Sequence, residues 1–138
     1  MPQQVREIMT PRPVTVPPRT PIADAARMMR DMQVGDVLVA EGNALHGVLT
    51  DRDVVVRAVA DERSYATAAV DVCSPAAVTC APSDDVERAV VLMREHALRR
   101  LPVVDEGRLV GVVSLGDLAM ERDQRSALAD ISAAPPSV

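Results

Sequence analysis

Apolar residues recur along this chain in two spacings, and the two alternate in a fixed order. Ile22, Ala25, Ala26 and Met29 fall at i, i+3, i+4 and i+7, which puts them on one face of a helix. Thr20 can cap that helix, and Pro21 suits its first position, where a missing N–H costs nothing. Two short apolar runs follow, Val37 to Ala40 and Leu45 to Leu49, on either side of Glu41-Gly42-Asn43. Runs of that length around a glycine-containing polar triplet predict two strands joined by a turn. A helix is expected after Thr50. Ahead of this unit stand an opening segment, Val5 to Met9, ending at Thr10-Pro11, and an extended piece, Val14-Thr15-Val16, between prolines.

The same order then returns. Residues 8–53 lie on residues 72–117 without a gap, with identities that include Pro11/Pro75, Val14/Val78, Thr15/Thr79, Ala25/Ala89, Met29/Met93, Val39/Val103, Gly47/Gly111 and Asp53/Asp117. Val86, Ala89, Val90 and Met93 repeat the helical spacing after Ser83-Asp84-Asp85. Leu101 to Val104 and Leu109 to Val113 repeat the strands around Asp105-Glu106-Gly107, and a helix is again expected after Ser114. Two copies are too few for a solenoid. They predict an α/β (α+β) fold of two β-α-β-β-α halves related by a pseudo-twofold axis. Each half alone leaves a sheet face bare, so the halves should pack sheet to sheet. The expected organisation is a first repeat over residues 1–62, a second over 63–124, and a tail over 125–138. In that tail a helix from Arg125 to Ile131 gives way to Ala133-Ala134-Pro135-Pro136, which should be mobile.

Composition narrows the function. The chain has 138 residues, no Phe, no Trp and one aromatic residue, Tyr65, so the core must be aliphatic and methionine-rich. A formal charge of −5 argues against a nucleic-acid surface, and the missing aromatics argue against single-strand binding by base stacking. No apolar run is long enough to span a membrane, and the N-terminus has no signal-peptide core, so a cytoplasmic protein is expected. Cys73 and Cys80 form no CxxC, and His46 and His96 lie elsewhere. The cysteines read as small hydrophobes, with zinc or a disulfide as alternatives. No metal site and no catalytic residue is expected. Met28, Met29, Met32 and Met93 read as core or dimer packing.

One repeated stretch carries the candidate chemistry: Gly47-Val48-Leu49-Thr50-Asp51-Arg52-Asp53 and Gly111-Val112-Val113-Ser114-Leu115-Gly116-Asp117. Thr50 and Ser114 are good helix caps, and Asp53 and Asp117 stand where a carboxylate bonds back to the cap. The same hydroxyl and carboxylate, one turn apart, can also bond a vicinal diol such as ribose. Gly47 and Gly111 permit close approach to the strand. An enzyme reading finds no Ser-His-Asp or Cys-His pattern and no base partner for the repeated carboxylates.

These residues carry a resemblance. Val5, Ile8-Met9-Thr10-Pro11, the two Gly-x-x-[Ser/Thr]-x-x-Asp ends and Leu101-Pro102-Val103-Val104 resemble a tandem cystathionine-β-synthase (CBS) domain pair, the Bateman module, over about residues 5–122. The resemblance implies a regulatory module that binds AMP, ADP, ATP or S-adenosylmethionine between its halves and is commonly a homodimer. Carried over by position, Thr50 and Asp53 would hold one ribose, and Ser114 and Asp117 the other. Each motif would face the other half's extended piece, so the bases would lie near Val78, Thr79 and Cys80, and near Val14, Thr15 and Val16. Arg99 and Arg100, with Arg52, would meet phosphate. The first half has Gly35-Asp36 where the second has Arg99-Arg100 and lacks the proline of Leu101-Pro102. Phosphate is therefore expected to bind more tightly beside Thr50 and Asp53, where the cations were placed, than beside Ser114 and Asp117. The alternative is a structural dimerisation module with no nucleotide. A homodimer is expected in either case, from apolar residues such as Val54, Val55 and Met120 at helix starts. A downstream protein partner is implied but not named by the sequence.

Overall fold

A computed structural model describes residues 3–76 and 78–121; the helix expected from Arg125 to Ile131 and the tail lie outside the described residues. A single 3-10 turn, Val5–Glu7, opens the chain. It leads into β1 (Thr10–Pro11), β2 (Thr15–Val16), α1 (Ile22–Met32), β3 (Asp36–Glu41), β4 (Ala44–Thr50) and α2 (Asp51–Asp53). The helix widens at once into a π-type stretch, Val54–Val59, where Ala60 N–H reaches Val55 O and Arg63 N–H reaches Ala58 O. The second half runs α3 (Ala69–Val72), α4 (Val86–Glu95), β5 (Arg100–Asp105), β6 (Arg108–Ser114) and a helix over 115–121, here α5. Among the described residues, both long helices and both hairpins expected from the apolar spacing are present. The two hairpins even share a register shift, at Val39/Ala40 and at Val103/Val104.

Two sheets result, β2-β3-β4 and β1-β6-β5. Each borrows its outer antiparallel neighbour from the other half. Thr10 pairs with Val112 of β6, and Ser74, at the equivalent place in the second half, pairs with Val48 of β4. The parallel partner stays within its own half, as Val16 beside Val39 and Cys80 beside Val103. This exchange is invisible to periodicity, because the opening segments are too short to show any.

The exchange also changes how the helices begin. Thr20 does not cap α1, whose N-cap is Pro21 with no side-chain bond. Instead Ile22 N–H donates to Thr67 O at 2.9 Å, and in the other half Val86 N–H donates to Gln3 O at 2.9 Å. The free N–H groups of each long helix are met by backbone of the chain leading into the opposite half, which leaves no role for a hydroxyl.

Three apolar clusters form the core. Val37 and Val39 of β3 pack with Ile22, Ala25 and Met29 of α1 and with Ala69 and Val72 from the second opening segment. Leu101, Val103 and Val113 pack with Ala89 and Met93 of α4 and with Val5 from the first. Between the sheets, Leu38 and Ala40 meet Leu109 and Val112. Residues of β3 therefore alternate between a helix face and a sheet face, both dry, as expected of a strand buried on two sides. Cys80 is buried where Val16 sits in the other half, and both cysteines are free thiols. Burial pushes the Cys80 thiol up to about 11, with Asp84 adding to the push. Burial also raises the Cys73 thiol, with a contribution from Asp53.

Candidate functional site

The repeated hydroxyl–carboxylate pairs both form closed capping boxes. Thr50 Oγ1 accepts from Asp53 N–H at 2.9 Å, and Asp53 Oδ2 accepts from Thr50 N–H at 3.1 Å. Ser114 Oγ accepts from Asp117 N–H at 3.0 Å, and Asp117 Oδ2 accepts from Ser114 N–H at 2.9 Å. A third group, from the other half, completes each. Ser74 Oγ donates to both oxygens of Asp53, at 3.1 and 3.2 Å, and Thr10 Oγ1 donates to Asp117 Oδ2 at 3.4 Å. Arg57 adds its Nε at 3.8 Å from Asp53 Oδ1. Asp53 is buried, whereas Asp117 is half-buried. A carboxylate has about four lone-pair sites; the contacts above take three at Asp53 and two at Asp117.

The glycines of the motif serve this junction. A Cβ on Gly47 would lie 2.4 Å from Ser74 O and 2.9 Å from Cys73 Sγ. One on Gly111 would lie 2.6 Å from Met9 Sδ and 3.0 Å from Thr10 O. The close approach anticipated at these positions is therefore made by the backbone and sulfur of the opposite opening segment.

A cavity of about 170 Å³ opens between the halves, lined by residues that include Thr10, Val14, Asp36, Arg100, Val112 and Ser114. Of the expected site residues, it gathers Val14, Ser114 and Arg100. The side chains of Val16 and Cys80 point into the helix-side cores, and Val78 packs against the second of them. Thr15 is half-buried and Thr79 exposed. The three arginines are not gathered around Thr50. Arg99 lines a separate outer groove of about 490 Å³ between α4 and α5, with Met93, Leu98 and Leu118. Arg52 is exposed, and its N–H is held by Asp51 Oδ1 at 2.8 Å. Of these three, Arg100 reaches the cleft, because it pairs in register with Ser114 on the adjoining strand, and Arg12, which carried no expectation, lines the cavity with it.

Asp36 is the cleft residue that sequence reasoning noted only as a missing cation. It is buried, and its Oδ1 lies 2.7 Å from Arg100 Nε. Burial pushes its carboxyl up, opposed by Arg100, reinforced by Asp51 and opposed again by Arg99. Thr10 and Ser74 were likewise not assigned to the site. Their signal was a hydroxyl at both equivalent positions of the repeat.

Comparison with known proteins follows the same lines. The family model described as CBS domain matches twice, over residues 5–59 and 69–123. CBS domain-containing protein YhcV of Bacillus subtilis is 41% identical over 132 residues, spanning 93% of this chain and 94% of that protein. Hypoxic response protein 1 of Mycobacterium tuberculosis is 31% identical over 116 residues, spanning 83% of this chain and 81% of that one. The solved structure of CBS domain protein PAE2072 from Pyrobaculum aerophilum, complexed with AMP, has a TM-score of 0.77 at 29% identity and covers 92% of this chain and 98% of that chain. Both halves are matched, each ends in the same Gly-x-x-[Ser/Thr]-x-x-Asp stretch, and the chain belongs to the CBS-domain family as a tandem pair.

Proposed function

We propose that the protein is a regulatory, non-catalytic sensor that binds an adenosine-containing ligand in the cleft between its halves. The observation that carries this reading is the pair of hydroxyl–carboxylate motifs, each meeting a hydroxyl from the opposite half. Thr50 with Asp53, and Ser114 with Asp117, are the ribose groups. Val14 and Thr15 flank one base, and Val78 and Thr79 the other, with Val16 and Cys80 anchoring these pieces from the cores. Arg100 is the phosphate group, since it lines the cavity with Ser114. The AMP in the related Pyrobaculum aerophilum structure makes an adenine nucleotide the first ligand to try; ADP, ATP and S-adenosylmethionine complete the panel. No residue or bound group is required as a cofactor in this reading. Thermal unfolding with that panel tests it, because a ligand that binds only the folded state raises the midpoint in proportion to its excess over Kd. A rise with at least one adenosyl compound is expected. No rise with any of them at millimolar concentration contradicts the reading and favours a purely structural module, for which the closed capping boxes speak.

The assembly is proposed as a homodimer. Val55, Val56 and Val59 on the π-type stretch and Leu115 and Met120 on α5 are exposed, whereas Val54 turns inward against the first core. Exposed apolar residues grouped on helical segments mark interaction surfaces. Light scattering should give twice the 14.7 kDa chain mass; a species of the chain mass alone at micromolar concentration removes the dimer. No helix among the described residues is long and apolar enough to cross a membrane, and the proposed location is cytoplasmic.

A further inference from the structure

Residues 36 and 100 occupy the same position in the two repeats, and they carry opposite charges. Asp36 opens β3 and Arg100 opens β5. Their side chains meet at 2.7 Å, so the ion pair joins the repeats at equivalent residues, on the pseudo-twofold axis itself. In register, Asp36 stands opposite Thr50 and Arg100 opposite Ser114. The pair therefore lies between the two hydroxyl–carboxylate motifs, and both members line the cavity with Thr10, Val14 and Ser114. Both are largely covered, their side chains 12% and 23% exposed, so water screens the contact little.

We propose that Asp36 is the specificity-determining residue of the cleft: it masks Arg100, so a ligand phosphate gains the guanidinium only by displacing the Asp36 carboxylate. The inference rests on the adenosine-binding reading above and adds the charge of the preferred ligand to it. A neutral adenosine moiety engages the hydroxyl–carboxylate motifs without disturbing the ion pair. A 5′-phosphate must compete with a carboxylate already at hydrogen-bond distance. Arg100 therefore adds little preference for phosphate, and Arg12 is the other cation lining the cavity. Unmasking Arg100 restores one charge-assisted contact, a factor of about ten to a hundred in affinity.

The test is calorimetric titration of the full chain with adenosine and with AMP, in the native protein and in Asp36→Asn, Asp36→Ala, Arg100→Gln and Asp36→Asn/Arg100→Gln. The same set is made in an Arg12→Gln background, where the chain with Asp36 and Arg100 intact should bind the two ligands within about tenfold of each other, because Arg12 also lines the cavity. Asp36→Asn should tighten AMP by about tenfold or more and leave adenosine within about twofold. Loss of Arg100 should cost AMP more in the Asp36→Asn background than in the native one, because only there is the cation free. Asp36→Ala repeats the test should the asparagine variant not fold. If neither variant folds, the ratio in the Arg12→Gln chain decides alone: AMP bound a hundredfold more tightly than adenosine there means that Arg100 is unmasked and overturns the proposal. Binding of both ligands with a ratio unmoved by Asp36→Asn or Asp36→Ala overturns it too, and leaves the adenosine reading standing. No binding of either ligand to any folded protein in the set removes both.

Discussion

A chain carrying Asp53→Ala and Asp117→Ala together should bind no adenine nucleotide, and it should also be less stable than the native chain. Both effects come from the same oxygen atoms. Each carboxylate accepts the N–H of its cap residue and a hydroxyl from the opposite half. Removing a cap partner of this kind costs about 0.5–2 kcal/mol. The cost should be unequal between the halves. Asp53 is buried and takes both contacts from the half-buried Ser74 hydroxyl, so its loss should fall toward the upper end of that range. Asp117 is half-buried and has one longer contact from Thr10, so its loss should stay near 1 kcal/mol. Urea unfolding of the single variants should therefore rank Asp53→Ala below Asp117→Ala in stability. Calorimetry of the folded double variant should show no heat of AMP binding. Native-like AMP affinity in the double variant leaves the carboxylates as caps and nothing more.

Gly47→Ala should be the most damaging single methyl added to the first half. The new Cβ would stand 2.4 Å from Ser74 O, a backbone atom that cannot swing aside. That oxygen accepts Val48 N–H at 2.9 Å, and Ser74 N–H returns a bond to Val48 O at 2.9 Å. Relief of the clash must break this two-way bridge and shift Ser74 away from Asp53. Overpacking of this kind costs about 1–3 kcal/mol, and the broken bridge places the expected loss at the upper end. At Gly116 the nearest heavy atom to an added Cβ is Ser114 Oγ at 3.6 Å, ordinary contact. Gly116→Ala, on helix α5, should be neutral or stabilise by up to about 1 kcal/mol. Thermal melts should place Gly47→Ala well below the native midpoint and Gly116→Ala at or above it. Equal midpoints would mean that the opening segment does not seat against β4.

Much of this architecture was legible before any coordinates. The i, i+3, i+4, i+7 spacing at Ile22 and again at Val86 located both long helices, because burying one helix face forces that period. The polar triplets at Glu41 and Asp105 located both hairpins. The exchange of opening segments was not legible. Thr10-Pro11 and Ser74-Pro75 are too short for a period, and a strand's partner is set by tertiary packing rather than by local propensity. For the same reason Thr20 was read as a cap, when the N–H of Ile22 is met by Thr67 O. In the candidate site, the hydroxyl–carboxylate pairs stand out in the sequence because the repeat doubles them, and the structure closes both as capping boxes. Arg99 and Arg100 are adjacent in sequence but line different cavities. Successive residues entering a strand point to opposite sides, so Arg99 lines the outer groove and Arg100 the cleft. The expected preference for phosphate beside Thr50 loses its geometric basis, since Arg100 stands beside Ser114 and the cavity it shares with Arg12 includes Ser114 and not Thr50.

The most direct test of an adenosine ligand between the halves is an amide NMR titration of the full chain with AMP. The largest shifts should fall on Thr50, Asp53, Ser114 and Asp117, with Thr10, Val14 and Ser74 moving alongside them, since hydroxyls from both halves share each carboxylate. Saturation with shifts confined to the outer groove, at residues such as Val90, Leu98 and Leu118, or no shifts at all, would contradict it.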